Sequence, residues 1–256
     1  MREFLDISRL LGMPEQASAH AGDIDFTMAL VHWLMLLLFV GWGIYFIYVL
    51  FRFRKSKQPV ASYEGAVGKY SKYQETAVVL AEATLLMAFA FPIWGLMKNE
   101  FPAAEEAFNV HVIAEQFAWN VHYPGADGEF GRRDIALIDL VANPIGLDSE
   151  DPAAADDIVT VNELHLPVDR SVIVRLTSKD VIHSFGVPQL RVKQDAIPGL
   201  EIPIWFTPTV SGEYEIACAQ LCGLSHYRMR GFVTVEPQAD LEAWLQQIAE
   251  ENAQFN

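Results

Sequence analysis

The sequence is poor in cysteine and in positive charge. Its 256 residues include two cysteines, and 18 Lys and Arg stand against 33 Asp and Glu, which gives a formal net charge of −15. Such an acidic chain repels a phosphate backbone, so we expect no nucleic-acid partner. The sequence also lacks a phosphate-binding glycine loop, a long internal repeat and the C-x-x-C-H motif of covalent haem attachment. A nucleotide-binding P-loop protein, a repeat solenoid and a c-type cytochrome are thereby excluded.

Two long apolar runs predict a membrane anchor. Residues 26–51 carry no charge, and residues 76–97 contain one acid, Glu82. About 20 apolar residues cross the core of a bilayer, so each run is long enough to span it. The linker between them holds six basic residues and two acids, Glu64 and Glu75. Because Lys and Arg are retained on the cytoplasmic side, the linker is predicted to be cytoplasmic and both termini external.

The remainder of the chain predicts an external β-domain. Residues 99–237 consist of short alternating stretches of Val, Ile and aromatic residues between Pro and Gly turns, a pattern typical of a β-sandwich or barrel. A polar, Pro- and Asp-rich excursion over residues 129–158 is predicted to be a surface loop. Residues 238–256 are predicted to form a C-terminal helix and tail, and residues 1–25 an external N-terminal segment. Four apolar residues share one face of that helix. They are Leu241, Trp244, Leu245 and Ile248.

Both cysteines lie in the segment CAQLCGLSHYRM, residues 218–229. Thiolate, imidazole and thioether ligands suit copper or zinc, and the segment supplies Cys218, Cys222, His226 and Met229. A second histidine is needed from a distant strand, and His183 in KDVIHSFGVP is the best candidate. Two thiolates allow two coppers to be bridged. The residues alone are also consistent with two alternatives: a mononuclear copper or zinc domain tethered to a membrane, and a metal-free binding module cross-linked by a disulfide.

The stretches DVIHSFGVPQLRVKQDAIPG and CAQLCGLSHYRM, behind two spans and ahead of a C-terminal helix, resemble subunit II of the haem-copper cytochrome c oxidases. The resemblance implies a membrane-anchored α+β chain with a cupredoxin-like domain. It also implies a dinuclear copper A centre that accepts electrons from cytochrome c and passes them to haem in subunit I. Quinol-oxidase relatives lack the two cysteines, so the resemblance disfavours that class. The implied ligands are His183, Cys218, the main-chain carbonyl of Gln220, Cys222, His226 and Met229.

The same resemblance implies the surroundings of the chain. Subunit I, with its haems and copper B, would carry oxygen reduction and proton translocation, and subunit III would accompany it. The donor would be cytochrome c or a bound cytochrome. The chain would lie in the bacterial inner membrane, with its copper domain on the periplasmic side.

Some positions depart from the family pattern. Gln220 stands where mitochondrial-type members have a glutamate that reaches Mg²⁺. Because an amide lacks the negative charge that holds a hard cation, Gln220 argues against a magnesium ion at this position. Phe117 takes the place of the tryptophan through which electrons enter, and Trp119 matches a second family aromatic. Glu75 aligns with a glutamate that opens a proton-uptake path. Five acids of the excursion are predicted to steer a basic donor. They are Asp148, Glu150, Asp151, Asp156 and Asp157.

Overall fold

The structure is a computed structural model that describes residues 5–61, 63, 65 and 68–255. The predicted N-terminal segment, residues 1–25, therefore lies partly outside the described residues. The chain divides into two compact units. The first combines Met1–Met13 with Asp23–Leu96, and the second combines Pro14–Gly22 with Met97–Asn256.

The first unit contains two long apolar helices. Helix α1, Ala21–Arg52, has 32 residues. The second helical run, Lys69–Asn99, has 31 residues and comprises α2 (Lys69–Leu85), a π-helical turn (Leu86–Ala90) and α3 (Phe91–Asn99). At 1.5 Å per residue each run exceeds the ~30 Å core of a bilayer. Both helices are long and apolar enough to cross a membrane, which confirms the two predicted apolar helices, although each begins several residues before its apolar run.

Proline accounts for the change of helix type in the second run. Pro92 lies just after the π-helical turn Leu86–Ala90. Its nitrogen carries no hydrogen and cannot bond to the carbonyl four residues earlier. Such a missing bond is a common cause of local rearrangement inside a helix.

The second unit is a sandwich of two five-stranded sheets, which confirms the predicted cupredoxin-like architecture. The sheet orders are β3-β2-β1-β5-β8 and β4-β10-β9-β6-β7. The strands are β1 Phe108–Glu115, β2 Ala118–Tyr123, β3 Ile158–Val161, β4 Glu163–Pro167, β5 Val172–Ser178, β6 His183–Val187, β7 Val192–Ala196, β8 Ile202–Phe206, β9 Gly212–Cys218 and β10 Arg230–Glu236.

Alternation along the strands builds the core between the sheets. In β5, Val172, Val174 and Leu176 are fully buried, while Arg175 points to the opposite face of the sheet. In β9, Tyr214 and Ile216 are buried and Glu215 is exposed. One face of each sheet is thus apolar, and these two apolar faces pack against each other.

The C-terminal helix, α4, spans Gln238–Phe255. Leu241 is fully buried, and Trp244, Leu245 and Ile248 pack against the core, so the predicted helical face is the one that docks. The indole of Trp244 stacks on His165 with ring centroids 3.7 Å apart.

The residues before α1 form part of the sandwich. Within Pro14–Gly22, Ala17 donates its amide hydrogen to Gln189 O at 2.9 Å and accepts one from Thr209 N at 2.9 Å. Ser18 Oγ donates to Leu190 O at 2.6 Å. Arg191, held at φ 53°, donates its guanidinium hydrogens to the carbonyls of Pro14 and Glu15. The sequence did not predict this strap.

The predicted excursion is the connection between β2 and β3, residues 124–157, which we call the insertion loop. It lies partly over the outer face of the first sheet, where Phe130 stacks on His111 with ring centroids 3.9 Å apart. The side chain of Asp157 is buried, accepts a hydrogen bond from Gly131 N at 2.8 Å and pairs with His122 Nε2 at 2.7 Å. The predicted steering role of Asp157 is therefore wrong, because its side chain has no contact with solvent.

Candidate metal centre

Three neighbouring strands of the second sheet bring the predicted ligands together. His183 is the first residue of β6, Cys218 is the last of β9, and Met229 directly precedes β10. Strand β9 lies between β6 and β10 and runs antiparallel to both. The starts of β6 and β10 therefore meet the end of β9 at one edge of the sheet. The loop from β9 to β10 carries Cys222 and His226 over that same edge.

The donor atoms form a compact cluster. The Sγ atoms of Cys218 and Cys222 are 3.7 Å apart. His183 Nδ1 lies 3.9 Å from Cys218 Sγ, and His226 Nδ1 lies 3.6 Å from Cys222 Sγ. Met229 Sδ lies 3.1 Å from His183 Nδ1 and 3.7 Å from Cys222 Sγ. Each cysteine thus has an imidazole nitrogen of its own beside it.

Three of these five distances lie in the range expected for donors of one metal, and the two that involve His183 Nδ1, 3.9 and 3.1 Å, lie just outside it. Donors bonded to one metal at about 2.0–2.3 Å in tetrahedral geometry stand about 3.3–3.8 Å apart. The spacing is too long for a disulfide, whose sulfurs are ~2.05 Å apart, and both cysteines are free. His183, Cys218 and Cys222 hold their donor atoms within 4.8 Å of one another. The carbonyl oxygen of Gln220 lies 3.2 Å from Cys218 Sγ and completes the set of implied ligands.

Burial and hydrogen bonding set the protonation of the thiols. Burial alone would raise the pKa of Cys218, but contacts with His183 and with backbone amides outweigh it and lower the pKa to about 6. Burial raises the pKa of Cys222 to about 11, and the neighbouring Cys218 adds to that rise. Met229 and His183 are also buried, so water has little access to this side of the cluster.

Asp180 orients the first imidazole. His183 Nε2 donates a hydrogen bond to Asp180 Oδ1 at 2.9 Å, which leaves the lone pair of Nδ1 directed at the sulfur atoms. The same carboxylate accepts from Gln116 N at 2.7 Å and from Val181 N at 2.6 Å. Burial opposes ionisation of Asp180, but the bonds from His183 and these amides lower its pKa overall. Sequence reasoning missed Asp180, although its place three residues before His183 was a usable signal.

The turn between β1 and β2 packs on the cysteine loop. Gln116 Nε2 donates to Cys222 O at 2.5 Å. A Cβ atom added to Gly223 would stand 2.6 Å from Gln116 Nε2 and 3.0 Å from Phe117 Cζ, and Gly223 has φ +144°. Only glycine allows this close approach. No local pattern indicates this contact, because more than 100 residues separate the two segments.

The two predicted aromatic residues differ in their access to solvent. Phe117 lies in the β1–β2 turn and is half-buried against Gly223. Trp119 lies in β2, is fully buried and meets His183 edge-on with ring centroids 6.2 Å apart. Trp119 therefore cannot touch a docked protein, whereas the edge of Phe117 can.

Glu75 belongs to the other unit. It is exposed on α2 and accepts a hydrogen bond from Ser71 Oγ at 3.0 Å. It lines an open groove between α1 and α2 with Trp42 and Tyr45. Its assignment to a proton path stays a prediction.

Comparison with known proteins identifies relatives. The family model described as "Cytochrome C oxidase subunit II, periplasmic domain" matches residues 108–236. The chain is 35% identical over 227 residues to an alternative cytochrome c oxidase subunit 2 of Bradyrhizobium diazoefficiens, covering 88% of this chain and 80% of that relative. It is 29% identical over 225 residues to a heme-copper oxidase subunit 2 of Aeropyrum pernix, covering 80% and 84%. The crystal structure of the periplasmic domain of a Bradyrhizobium japonicum oxidase subunit II matches 59% of this chain and 97% of its own, with 24% identity and a TM-score of 0.42.

Proposed function

The chain belongs to the cytochrome c oxidase subunit II family, and from that premise we propose that it accepts electrons from a cytochrome c and passes them to the haem of subunit I. It is thus a subunit of an oxidoreductase complex. The donor cluster at the edge of the second sheet is the observation that carries the proposal.

The residues that would hold a dinuclear copper A centre are His183, Cys218, Cys222, His226 and Met229, together with the main-chain oxygen of Gln220. When bound, such a centre supplies a one-electron carrier. Two features support two metals rather than one. Both cysteines lie within 3.7 Å of each other, and each has its own histidine at 3.9 or 3.6 Å. A mononuclear copper site, the alternative function, has no use for the second thiolate.

The protein holds the ligands in fixed positions and excludes water from one side of the cluster. Asp180 holds His183 in one orientation, and Gln116 fixes the Cys222 carbonyl. Buried side chains, including Trp119 and Met229, exclude water from the inner side of the cluster. Fixed ligands change little when an electron arrives or leaves, which suits electron transfer.

The membrane arrangement follows from the same proposal. The two apolar helices anchor the chain in the membrane. The strap Pro14–Gly22 is hydrogen-bonded to the sandwich, which supports a location of the residues before the first span and after the second span on the same side of the membrane. We assign that side to the bacterial periplasm. Oxygen reduction and proton translocation then belong to subunit I, with subunit III beside it. Phe117 would lie at the point where electrons enter, and Glu75 at the entrance of the proton path. Gln220 has no carboxylate, so this chain would not provide a charged ligand for Mg²⁺.

Rapid mixing of the purified oxidase complex with reduced cytochrome c tests this function. The copper absorption of the wild-type complex should bleach before the haems become reduced. Cys222→Ser should abolish that early phase and leave the haems unreduced by cytochrome c. Glu215→Gln, an exposed change on the strand that ends at Cys218, serves as the control and should react like the wild type. Haem reduction at the wild-type rate in Cys222→Ser would refute the proposal.

A further inference from the structure

Two histidines lie side by side on the outer face of the first sheet. His111 in β1 and His122 in β2 are cross-strand partners, and their rings meet edge to face with centroids 5.8 Å apart. Val110 and Val112 fill the core between the sheets, so the imidazoles point away from it. Both histidines are nevertheless buried, because the insertion loop covers them.

The cover consists of one aromatic ring and one carboxylate. The ring of Phe130 stacks on His111 with centroids 3.9 Å apart and meets His122 edge-on at 5.1 Å. Asp157 Oδ2 lies 2.7 Å from His122 Nε2 and accepts a hydrogen bond from Gly131 N at 2.8 Å. The segment 129–133 is thereby held against the sheet.

The charged groups that face the two imidazoles are balanced. Arg133 in the loop and Arg175 in β5 both pair with Glu201, which directly precedes β8, at 3.2 and 3.5 Å. Asp157 is the second acid. Two arginines and two carboxylates therefore surround the pair, and their charges cancel while the imidazoles are neutral.

The covered site has no place for an additional proton. An imidazolium carries a hydrogen on both ring nitrogens. Nδ1 of His111 and Nδ1 of His122 have no hydrogen-bond partner among the residues that the structure describes, so an N–H there would be buried without an acceptor. Burial and the charges of Arg133 and His122 lower the pKa of His111 to about 3, and burial, opposed by Asp157, lowers the pKa of His122.

The loop can leave this face without disturbing the sandwich. Its covering contacts are made to the outer face of the sheet, whereas the core lies on the inner face. Main-chain bonds such as Asp134 N to Gly146 O, at 2.8 Å, hold the loop together as a unit. Lys179 Nζ donates to Pro144 O at 2.7 Å and tethers the loop at a different point.

We propose that the insertion loop is an acid-released cover: protonation of His111 detaches the segment 129–133 from the first sheet while the sandwich stays folded. The open state binds protons that the closed state excludes. Closure is therefore fully favoured above pH 6.5 and is lost progressively below it. The cover needs neither copper nor a partner subunit, so its test is separate from that of the proposed function.

Hydrogen exchange of the purified full-length protein, followed by mass spectrometry, tests the inference. Gly131 N is the direct probe, because its bond to Asp157 exists only when the loop is closed. After correction for the intrinsic pH dependence of exchange, protection of residues 129–133 should be about tenfold lower at pH 5.5 than at pH 7.5. Protection of the β9–β10 ladder should stay constant.

Three variants separate titration from packing. His111→Gln cannot bind the proton, so its loop should keep most of its protection at pH 5.5. His165→Gln is the matched control, because His165 lies in β4 of the second sheet, and the tenfold change should persist. Phe130→Leu removes the stack but no titratable group. It should lower protection at both pH values and leave their ratio near that of the wild type.

Equal protection of residues 129–133 at both pH values in the wild type would overturn the inference, whether or not the variants fold. A parallel loss of protection in the β9–β10 ladder would also overturn it, because the change would then be general unfolding. So would a tenfold change in a folded His111→Gln variant.

Discussion

Replacing Asp180 by asparagine should weaken copper retention about 10- to 100-fold, the usual cost of removing a partner of a metal-bound histidine. The carboxylate accepts four hydrogen bonds, from His183 Nε2, Val181 N and Ser178 Oγ on Oδ1 and from Gln116 N on Oδ2. Asparagine keeps one acceptor oxygen, and its NH₂ group must face at least one of these N–H donors. His183 then loses either its partner or its fixed ring orientation. The corresponding change in binding free energy is about 1.4–2.7 kcal/mol.

Competition with a copper chelator measures this effect. The purified full-length protein, loaded with copper, is titrated with chelator while the copper absorption is followed. Thermal unfolding in the absence of copper checks that the sandwich remains folded. Glu215→Gln removes a charge from the exposed side of β9 and is the matched control. Wild-type retention of copper by Asp180→Asn would show that Asp180 does not position His183.

Three further predictions concern packing, protonation and the strap. Gly223→Ala should destabilise the fold by about 1–3 kcal/mol in denaturant unfolding, because the new methyl group collides with Gln116, and an unchanged midpoint would contradict the packing described for the turn. Burial, Arg133 and His122 lower the pKa of His111 from 6.5 to about 3, so the unfolded chain binds more protons between these values. The contribution of His111 to the free energy of unfolding should be fully present above pH 6.5 and fall by about 1.4 kcal/mol per pH unit below it. His111→Gln should therefore make the free energy of unfolding fall less steeply with decreasing pH. An equal slope in the variant would reject the assignment. Arg191→Ala should expose residues 14–20 to protease with little change in global unfolding, and continued protection would mean that the other strap contacts suffice.

Local patterns predicted much of this architecture. The apolar runs predicted both long helices, and the spacing of Leu241, Trp244, Leu245 and Ile248 predicted the docking face of α4. The cysteine segment could be recognised because four of its donors lie within twelve residues. The alternating stretches predicted a β-sandwich or barrel, and the structure is a sandwich of two sheets.

The same patterns could not show which distant segments meet. Alternation assigns a residue to a face of a sheet but does not name its partner across the fold. For this reason the contact of Gln116 with Cys222 and the strap on Leu190 were not predicted. The buried position of Asp157 was also missed, because an acid in a polar loop resembles a surface residue until its histidine partner is known.

Electron paramagnetic resonance of the copper-loaded full-length protein, combined with a copper-to-protein ratio, tests the central claim most directly. The account predicts two coppers per chain and the hyperfine pattern of one unpaired electron shared equally by two copper nuclei, lost in both Cys218→Ser and Cys222→Ser. One copper per chain with the pattern of a single nucleus, or a shared-electron spectrum that survives either substitution, would contradict it.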